Sequence, residues 1–343
     1  MIDLRSDTVT RPTEAMLESM REATFGDDSR DGDPTVQKLE AMAAERTGRE
    51  AGAFMPSGTM ANLVAMLAHA QRGGEVLIEE GSHTLNAELG GVSAAAGLFY
   101  RGIPGRRGAM DIEVLREAVR PTTRNQMGTA LAWMENTHNR SGGAVLPLDH
   151  MRAVYGIAHD KGVPVHLDGA RIFNAAAALG VNAANIAQHA DSVSFCVSKG
   201  LSAPVGSILC GSGAFIERAR AFRRMVGGNL RQAGPLAAAG IVALETMVDR
   251  LKDDHDTAKR LAEDLHRIDA SLVDPRHVET NLVRVEVKKS GKRAAQWSAE
   301  LKQKGILVSP CDIYALRFVT HRHISAPDVD AAVSAFAELW KKN

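Results

Sequence analysis

Asp191-Ser-Val-Ser-Phe-Cys-Val-Ser-Lys199-Gly200 sets an apolar, β-prone run directly before a lysine. The run reads as a buried strand with the lysine at its carboxyl end. Gly200-Leu-Ser-Ala-Pro-Val-Gly206 follows, and its small residues let a planar ligand approach the backbone. A second strand, Val163-Pro-Val-His-Leu-Asp168, ends in a carboxylate, with Arg171 three residues on. Ligands gather at the carboxyl ends of strands in open parallel sheets, so Asp168 and Lys199 are predicted to meet there.

Working outward, helix and strand signals alternate from about residue 35 to 235. Val36, Leu39, Met42 and Ala43 recur at helical spacing over 35–47, and a second helix over 60–70 is opened by Ser57-Gly58-Thr59. Short apolar strands are read at 75–79, 131–135, 163–168, 191–197 and 205–210, with helices over 111–119 and 149–159, each opened by an aspartate able to cap. This order predicts an α/β fold with a mostly parallel sheet and helices on both faces. After Gln232 the pattern changes to a long helix over 235–265, a strand at 281–286, a helix over 294–304, paired strands at 306–309 and 315–319, and a last helix from Ser325. The chain is therefore divided into a large domain, 1–249, carrying the N-terminal arm, and a smaller α+β domain, 250–343.

The bulk properties narrow the function. Lys+Arg and Asp+Glu are both 41 in 343 residues, so the net charge is zero and neither nucleic acid nor an anionic membrane is the expected partner. Aromatic residues are only 4%, which argues against a stacking platform. Cys196, Cys210 and Cys311 are odd in number and widely spaced, which predicts free thiols in a reducing compartment and no metal site. No signal peptide and no transmembrane run are read, so a cytoplasmic location is expected.

Lys199 and Asp168 suit one chemistry in particular. A lysine amine can hold pyridoxal 5'-phosphate as an imine, and an aspartate can keep the pyridine nitrogen protonated so that the ring accepts electrons. A lysine is more usually a solvated surface charge, and Asp-Gly also starts turns. Arg171 could face the ring oxygen or grip a substrate carboxylate through two parallel hydrogen bonds, or form an ordinary salt bridge. Pro56-Ser57-Gly58-Thr59-Met60 offers a glycine turn opening into a helix, an anion-binding arrangement. Arg231 lies in the glycine-rich run 227–234, read as flexible, and could add charge. His83 follows the 75–79 strand and could stack on a planar ring or act as a base.

Several motifs resemble the threonine aldolases, which belong to the fold type I pyridoxal-phosphate enzymes. They are Met1-Ile-Asp-Leu-Arg-Ser-Asp-Thr-Val-Thr10, Pro56-Ser-Gly-Thr-Met60, Glu135-Asn-Thr-His-Asn-Arg-Ser-Gly-Gly143, His166-Leu-Asp-Gly-Ala-Arg-Ile-Phe-Asn174, Ser198-Lys-Gly-Leu201 and Arg317-Phe-Val-Thr-His321. The resemblance runs nearly end to end. It implies that Lys199 is the Schiff-base lysine, Asp168 the partner of the pyridine nitrogen, and His83 the stacking residue. Ser57, Gly58 and Thr59 would bind phosphate, with Arg231 reaching in from a neighbouring subunit. Ser6, Arg171 and Arg317 would hold the substrate carboxylate, and Glu88 would lie near the substrate hydroxyl or a water. The resemblance implies a homotetramer with active sites at subunit interfaces. It also implies cleavage of L-3-hydroxy amino acids (threonine, allo-threonine, phenylserine) to glycine and an aldehyde.

The chain departs from the family pattern at four places. Arg30 replaces an aromatic residue, Ala87 stands where many members have tyrosine, Asn125-Gln126 replaces a histidine region, and Asn229-Leu230 interrupts the usual glycine run. These point to a roomier side-chain pocket. Competing readings are a β-eliminating lyase, racemase or aminotransferase on the same cofactor, or a cofactor-binding protein without turnover. A nucleotide-binding α/β protein would need a GxGxxG or P-loop pattern, which does not occur in the right context.

Overall fold

The computed structural model describes residues 1–341. Seven strands form the central sheet in the order Ala51–Met55, Ser207–Gly211, Ser192–Cys196, Val165–Asp168, Thr129–Glu135, Glu75–Glu79, Phe99–Ile103. All run parallel except Ser207–Gly211, which is antiparallel to both neighbours. Ser192–Cys196, Ser207–Gly211 and Val165–Asp168 are buried throughout, as strands covered on both faces should be. The predicted α/β architecture is what the chain adopts.

Cap chemistry sets the helix that matters most. Ser57 is the N-cap of Gly58–His69, and its Oγ accepts from the Met60 amide at 3.1 Å. The preceding helix, Pro34–Thr47, starts at Asp33, whose carboxylate accepts from the Thr35 and Val36 amides, and stops at Gly48 in the left-handed conformation.

Two sequence expectations are corrected. The helix read over 235–265 is two helices, Gly234–Thr246 and Leu251–Ile268. The first is apolar all round and buries Ala237, Ala239, Ile241 and Leu244 within the main core. The second is amphipathic and turns Ala258, Leu261, Ala262 and Leu265 into a second core. Both pieces favour helix, so local preference did not reveal the bend that serves two cores. The strand read at 306–309 is also divided. Ile306–Leu307 pairs in parallel with Ile2–Asp3, while Ser309–Asp312 pairs with Ala315–Val319.

That first pairing carries the N-terminal arm across the molecule. Leu4 is fully buried in the second core, with Trp297, Phe318 and Phe336. Three residues later Asp7 reaches the end of the central sheet and meets Arg171. The arm therefore ties the C-terminal core to the carboxyl ends of the parallel strands, where the site lies.

Candidate active site

A cavity of about 360 Å³ opens at those strand ends. Ser6, Ser57, Gly58, Thr59, His83, Glu88, Asp168, Arg171, Lys199 and Arg317 all line it. Of the predicted site residues, only Arg231 is elsewhere on this chain, with its side chain 68% exposed and facing Asp27 at 3.8 Å.

Lys199 follows the Ser192–Cys196 strand, and the Thr10 hydroxyl donates to its carbonyl at 2.8 Å. Its amine makes no ion pair within 4.0 Å among the described residues, so it is available to a ligand. Asp168 ends the neighbouring strand and is buried. Its Oδ1 accepts from the Ala170 amide at 3.1 Å, and its Oδ2 accepts from Asn62 Nδ2 at 2.9 Å. The same Asn62 amide donates to Glu88 Oε1 at 2.8 Å, and His83 Nδ1 lies 2.9 Å from that oxygen. The bond to Glu88 raises the His83 pKa against the opposing effect of burial. His83, Glu88 and Asp168 place ligand atoms within 4.8 Å of one another, a spacing a cation could use. Asn62 bridges the Asp168 and Glu88 carboxylates and His83 lies on Glu88, so hydrogen bonds link the three.

Gly58 is the first residue of the Gly58–His69 helix, so its amide and that of Thr59 have no acceptor within the helix. A Cβ at Gly58 would lie 3.0 Å from Cys196 Sγ, so a side chain there would press on the neighbouring strand. Free amides at the start of a long helix, next to an unpaired lysine and a buried carboxylate, fit the phosphate and ring nitrogen of pyridoxal phosphate.

The two cavity arginines differ. Arg171 gives Nε and Nη2 to the carboxylate of Asp7, both at 2.7 Å, in a fully buried pair. Burial alone would raise the Asp7 pKa, but the guanidinium outweighs it and holds the carboxyl well below its usual range. Arg317 has no carboxylate partner among the described residues. It donates to Asn139 Oδ1 at 3.1 Å and leaves Nε buried without a partner. Burial, then the nearby Arg171 charge, lowers its pKa.

Asn62, Asp7 and Glu135 were not read from the sequence as site residues. Glu135 pairs with Asp168 in the strand register, which a search for carboxylates at strand ends would have found. It is buried and accepts from the amides of His83 at 2.5 Å and Asn139 at 2.7 Å. Burial raises its pKa. Of the departures, Arg30 is exposed and does not line this cavity, and Asn125-Gln126 lies in an exposed turn. The 227–234 loop, read as flexible, is tied down: Asn229 bridges Arg223 and Ser29, and the Arg231 carbonyl accepts from Asp28.

The β-eliminating lyase family model matches residues 3–289. A probable low-specificity L-threonine aldolase 2 of Arabidopsis thaliana is 43% identical, covering 99% of this chain and 97% of its own. A low specificity L-threonine aldolase of Escherichia coli K12 is 41% identical over 95% of each chain. Solved structures share the fold at lower identity. A Leishmania major threonine aldolase has a TM-score of 0.82 at 17% identity, covering 99% of this chain and 100% of its own. A putative L-allo-threonine aldolase of Listeria monocytogenes has a TM-score of 0.78 at 19% identity, covering 98% and 96%. The chain belongs to the β-eliminating lyase family, within its threonine aldolase group.

Proposed function

We propose that the protein is a pyridoxal 5'-phosphate-dependent aldolase that cleaves L-3-hydroxy amino acids to glycine and an aldehyde. The observation that carries this reading is one cavity holding an unpaired Lys199 amine, a buried Asp168 carboxylate and an Arg317 guanidinium without a carboxylate partner. When bound, the cofactor supplies an electron sink for the pair released from the broken Cα–Cβ bond.

The residues of the chain do the rest. Lys199 would hold the cofactor, Asp168 would partner its ring nitrogen, and Ser57, Gly58 and Thr59 would hold its phosphate. Arg317, with Ser6 and the remaining face of Arg171, would hold the substrate carboxylate and so orient the substrate at Cα. His83 would lie against the cofactor, and the His83–Glu88 pair would receive the proton from the 3-hydroxyl as the aldehyde leaves. A proton returned to Cα completes glycine. The substrates that fit are L-threonine, L-allo-threonine and phenylserine.

In the same reading residues 1–249 form the cofactor domain and 250–343 a smaller domain. Arg231, exposed on its own chain, would serve a neighbouring subunit in a homotetramer with shared sites. A cytoplasmic setting fits the free state of Cys196, Cys210 and Cys311. No helix among the described residues is long and apolar enough to cross a membrane.

The test is direct. Protein incubated with pyridoxal phosphate should gain a visible absorption band and release acetaldehyde and glycine from threonine. Lys199→Ala should abolish both. Release of an oxo acid and ammonia instead would favour the β-eliminating alternative, and a racemised product or an exchanged amino group would favour a racemase or aminotransferase.

A further inference from the structure

Behind Asp168 a line of buried polar groups crosses the sheet. The strand register sets His166 beside Ser192 and Asp168 beside Ser194, and the pair on each strand shares one face. Asn62 and His69 lie seven residues apart on the Gly58–His69 helix, hence on one stripe of it. The contacts run continuously. His69 Nε2 is 2.6 Å from Ser192 Oγ, and Ser192 Oγ is 2.7 Å from His166 Nδ1. His166 Nε2 is 3.5 Å from Ser194 Oγ, Ser194 Oγ is 3.1 Å from Asn62 Oδ1, and Asn62 Nδ2 reaches Asp168 and Glu88. Ser192, His166, Ser194, Asn62 and Asp168 are all buried.

One placement of hydrogens satisfies the whole line. Asn62 must turn its amino group to the two carboxylates, because its carbonyl there would face negative oxygens. Its Oδ1 then faces Ser194, whose hydroxyl must donate. With that hydrogen used, Ser194 can only accept from His166, so Nε2 of His166 carries the proton and Nδ1 is bare. Ser192 therefore donates to Nδ1 and accepts from His69. Every hydrogen in the line points toward Asp168. Burial keeps both imidazoles neutral, lowering His69 to about 4 and His166 well below its ordinary value. Trp133 packs against the His166 ring at 4.3 Å, and Phe215 stacks on His69 at 4.3 Å.

We infer that His166 is a positioning residue. Through Ser194 it fixes the Asn62 amide, and the Asn62 amide holds the Asp168 carboxylate in the one orientation that would face the ring nitrogen of the bound cofactor. The inference rests on the reading that this cavity takes pyridoxal phosphate. A line of neutral donors can fix the orientation of a buried carboxylate without adding a charge of its own.

The experiment compares the natural protein with His166→Phe, His166→Gln and Ser194→Ala, each stripped of cofactor and titrated with pyridoxal phosphate. Failure of the natural protein to bind would remove the functional reading itself. If it binds, His166→Phe and Ser194→Ala should weaken pyridoxal phosphate binding roughly tenfold, the scale of one buried hydrogen bond. They should shift the absorption maximum of the bound cofactor and lower kcat while leaving KM for threonine within about twofold, since the carboxylate grip is untouched. His166→Gln restores a donor and should recover most of the loss. Ser194→Ala removes one oxygen only, so it reports even if the phenylalanine variant does not fold. Natural affinity and spectrum in Ser194→Ala, or a glutamine variant no better than phenylalanine, would overturn the inference.

Discussion

Asp7 and Arg171, 164 residues apart, form a bidentate ion pair with both contacts at 2.7 Å and neither side chain more than 5% exposed. Asn281, next to the Leu282–Glu286 strand of the second core, also donates to Asp7 at 3.2 Å. One carboxylate thus joins the N-terminal arm, the end of the central sheet and the C-terminal core. It also divides the labour of the two cavity arginines. Arg171 is largely neutralised by the chain itself, and Arg317 keeps its charge for a ligand.

Asp7→Asn should be among the most damaging single changes outside the direct ligand contacts. It leaves a guanidinium buried and uncompensated, which costs about 3–5 kcal/mol. Adding Arg171→Met should recover part of that cost, because the buried charge goes with it. Denaturant unfolding of the two single variants and the double variant checks this. Strictly additive losses would show that the pair is not the unit that matters.

Arg317→Gln should spare the cofactor and harm the substrate. The visible absorption of bound pyridoxal phosphate should be unchanged, while kcat/KM for threonine falls by roughly 30-fold or more, the effect of removing one partner of a buried charge pair. Arg317→Lys keeps the charge but not the fork and should fall between. Steady-state kinetics with a cofactor titration in parallel separates the two effects.

What the sequence revealed and what it hid follow from physical range. Lys199 and Asp168 were legible because apolar strands buried on both faces leave long local signals, and the chemistry stands at their ends. Asn62 was not, since its partners Asp168 and Ser194 lie 106 and 132 residues away and a lone helical asparagine carries no periodic mark. The Ile2–Asp3 strand is too short to show alternation and exists only because Ile306–Leu307 receives it. Glu135 was quoted within a motif, yet its contact with the His83 amide depends on how a turn closes over the strand end.

Acid should destabilise the fold within a definite window. Burial lowers both His69 and His255 to about 4. The folded state holds them neutral, so between about pH 6.5 and 4 the unfolded chain binds more protons. Stability is therefore full above that window and falls as pH drops through it, by up to about 1.4 kcal/mol per pH unit for each histidine. A His69→Gln, His255→Gln double variant should show a flatter dependence of unfolding free energy between pH 6.5 and 4.5. An unchanged slope would assign the acid sensitivity to other groups.

A second cavity of about 220 Å³ shares His83, Asn139 and Arg317 with the first and is completed by Gly81, Asn86, Ala87, Arg140, Pro310 and Cys311. Alanine at position 87 leaves this space open beside the residues proposed to hold the hydroxyl and the carboxylate. A substrate with a bulky group on Cβ has room there that a methyl group does not use. The protein should therefore turn over phenylserine faster than threonine. Ala87→Tyr fills the space and leaves the Ala87 backbone bond to the His83 carbonyl in place, so it should move the ratio of kcat/KM values toward threonine by roughly tenfold, the usual scale for apolar pocket discrimination. Cofactor absorbance should be the same in both proteins, which keeps the effect on the substrate side. Equal or better turnover of threonine by the natural protein, or an unmoved ratio in Ala87→Tyr, would mean that substrate side chains leave the site by another route.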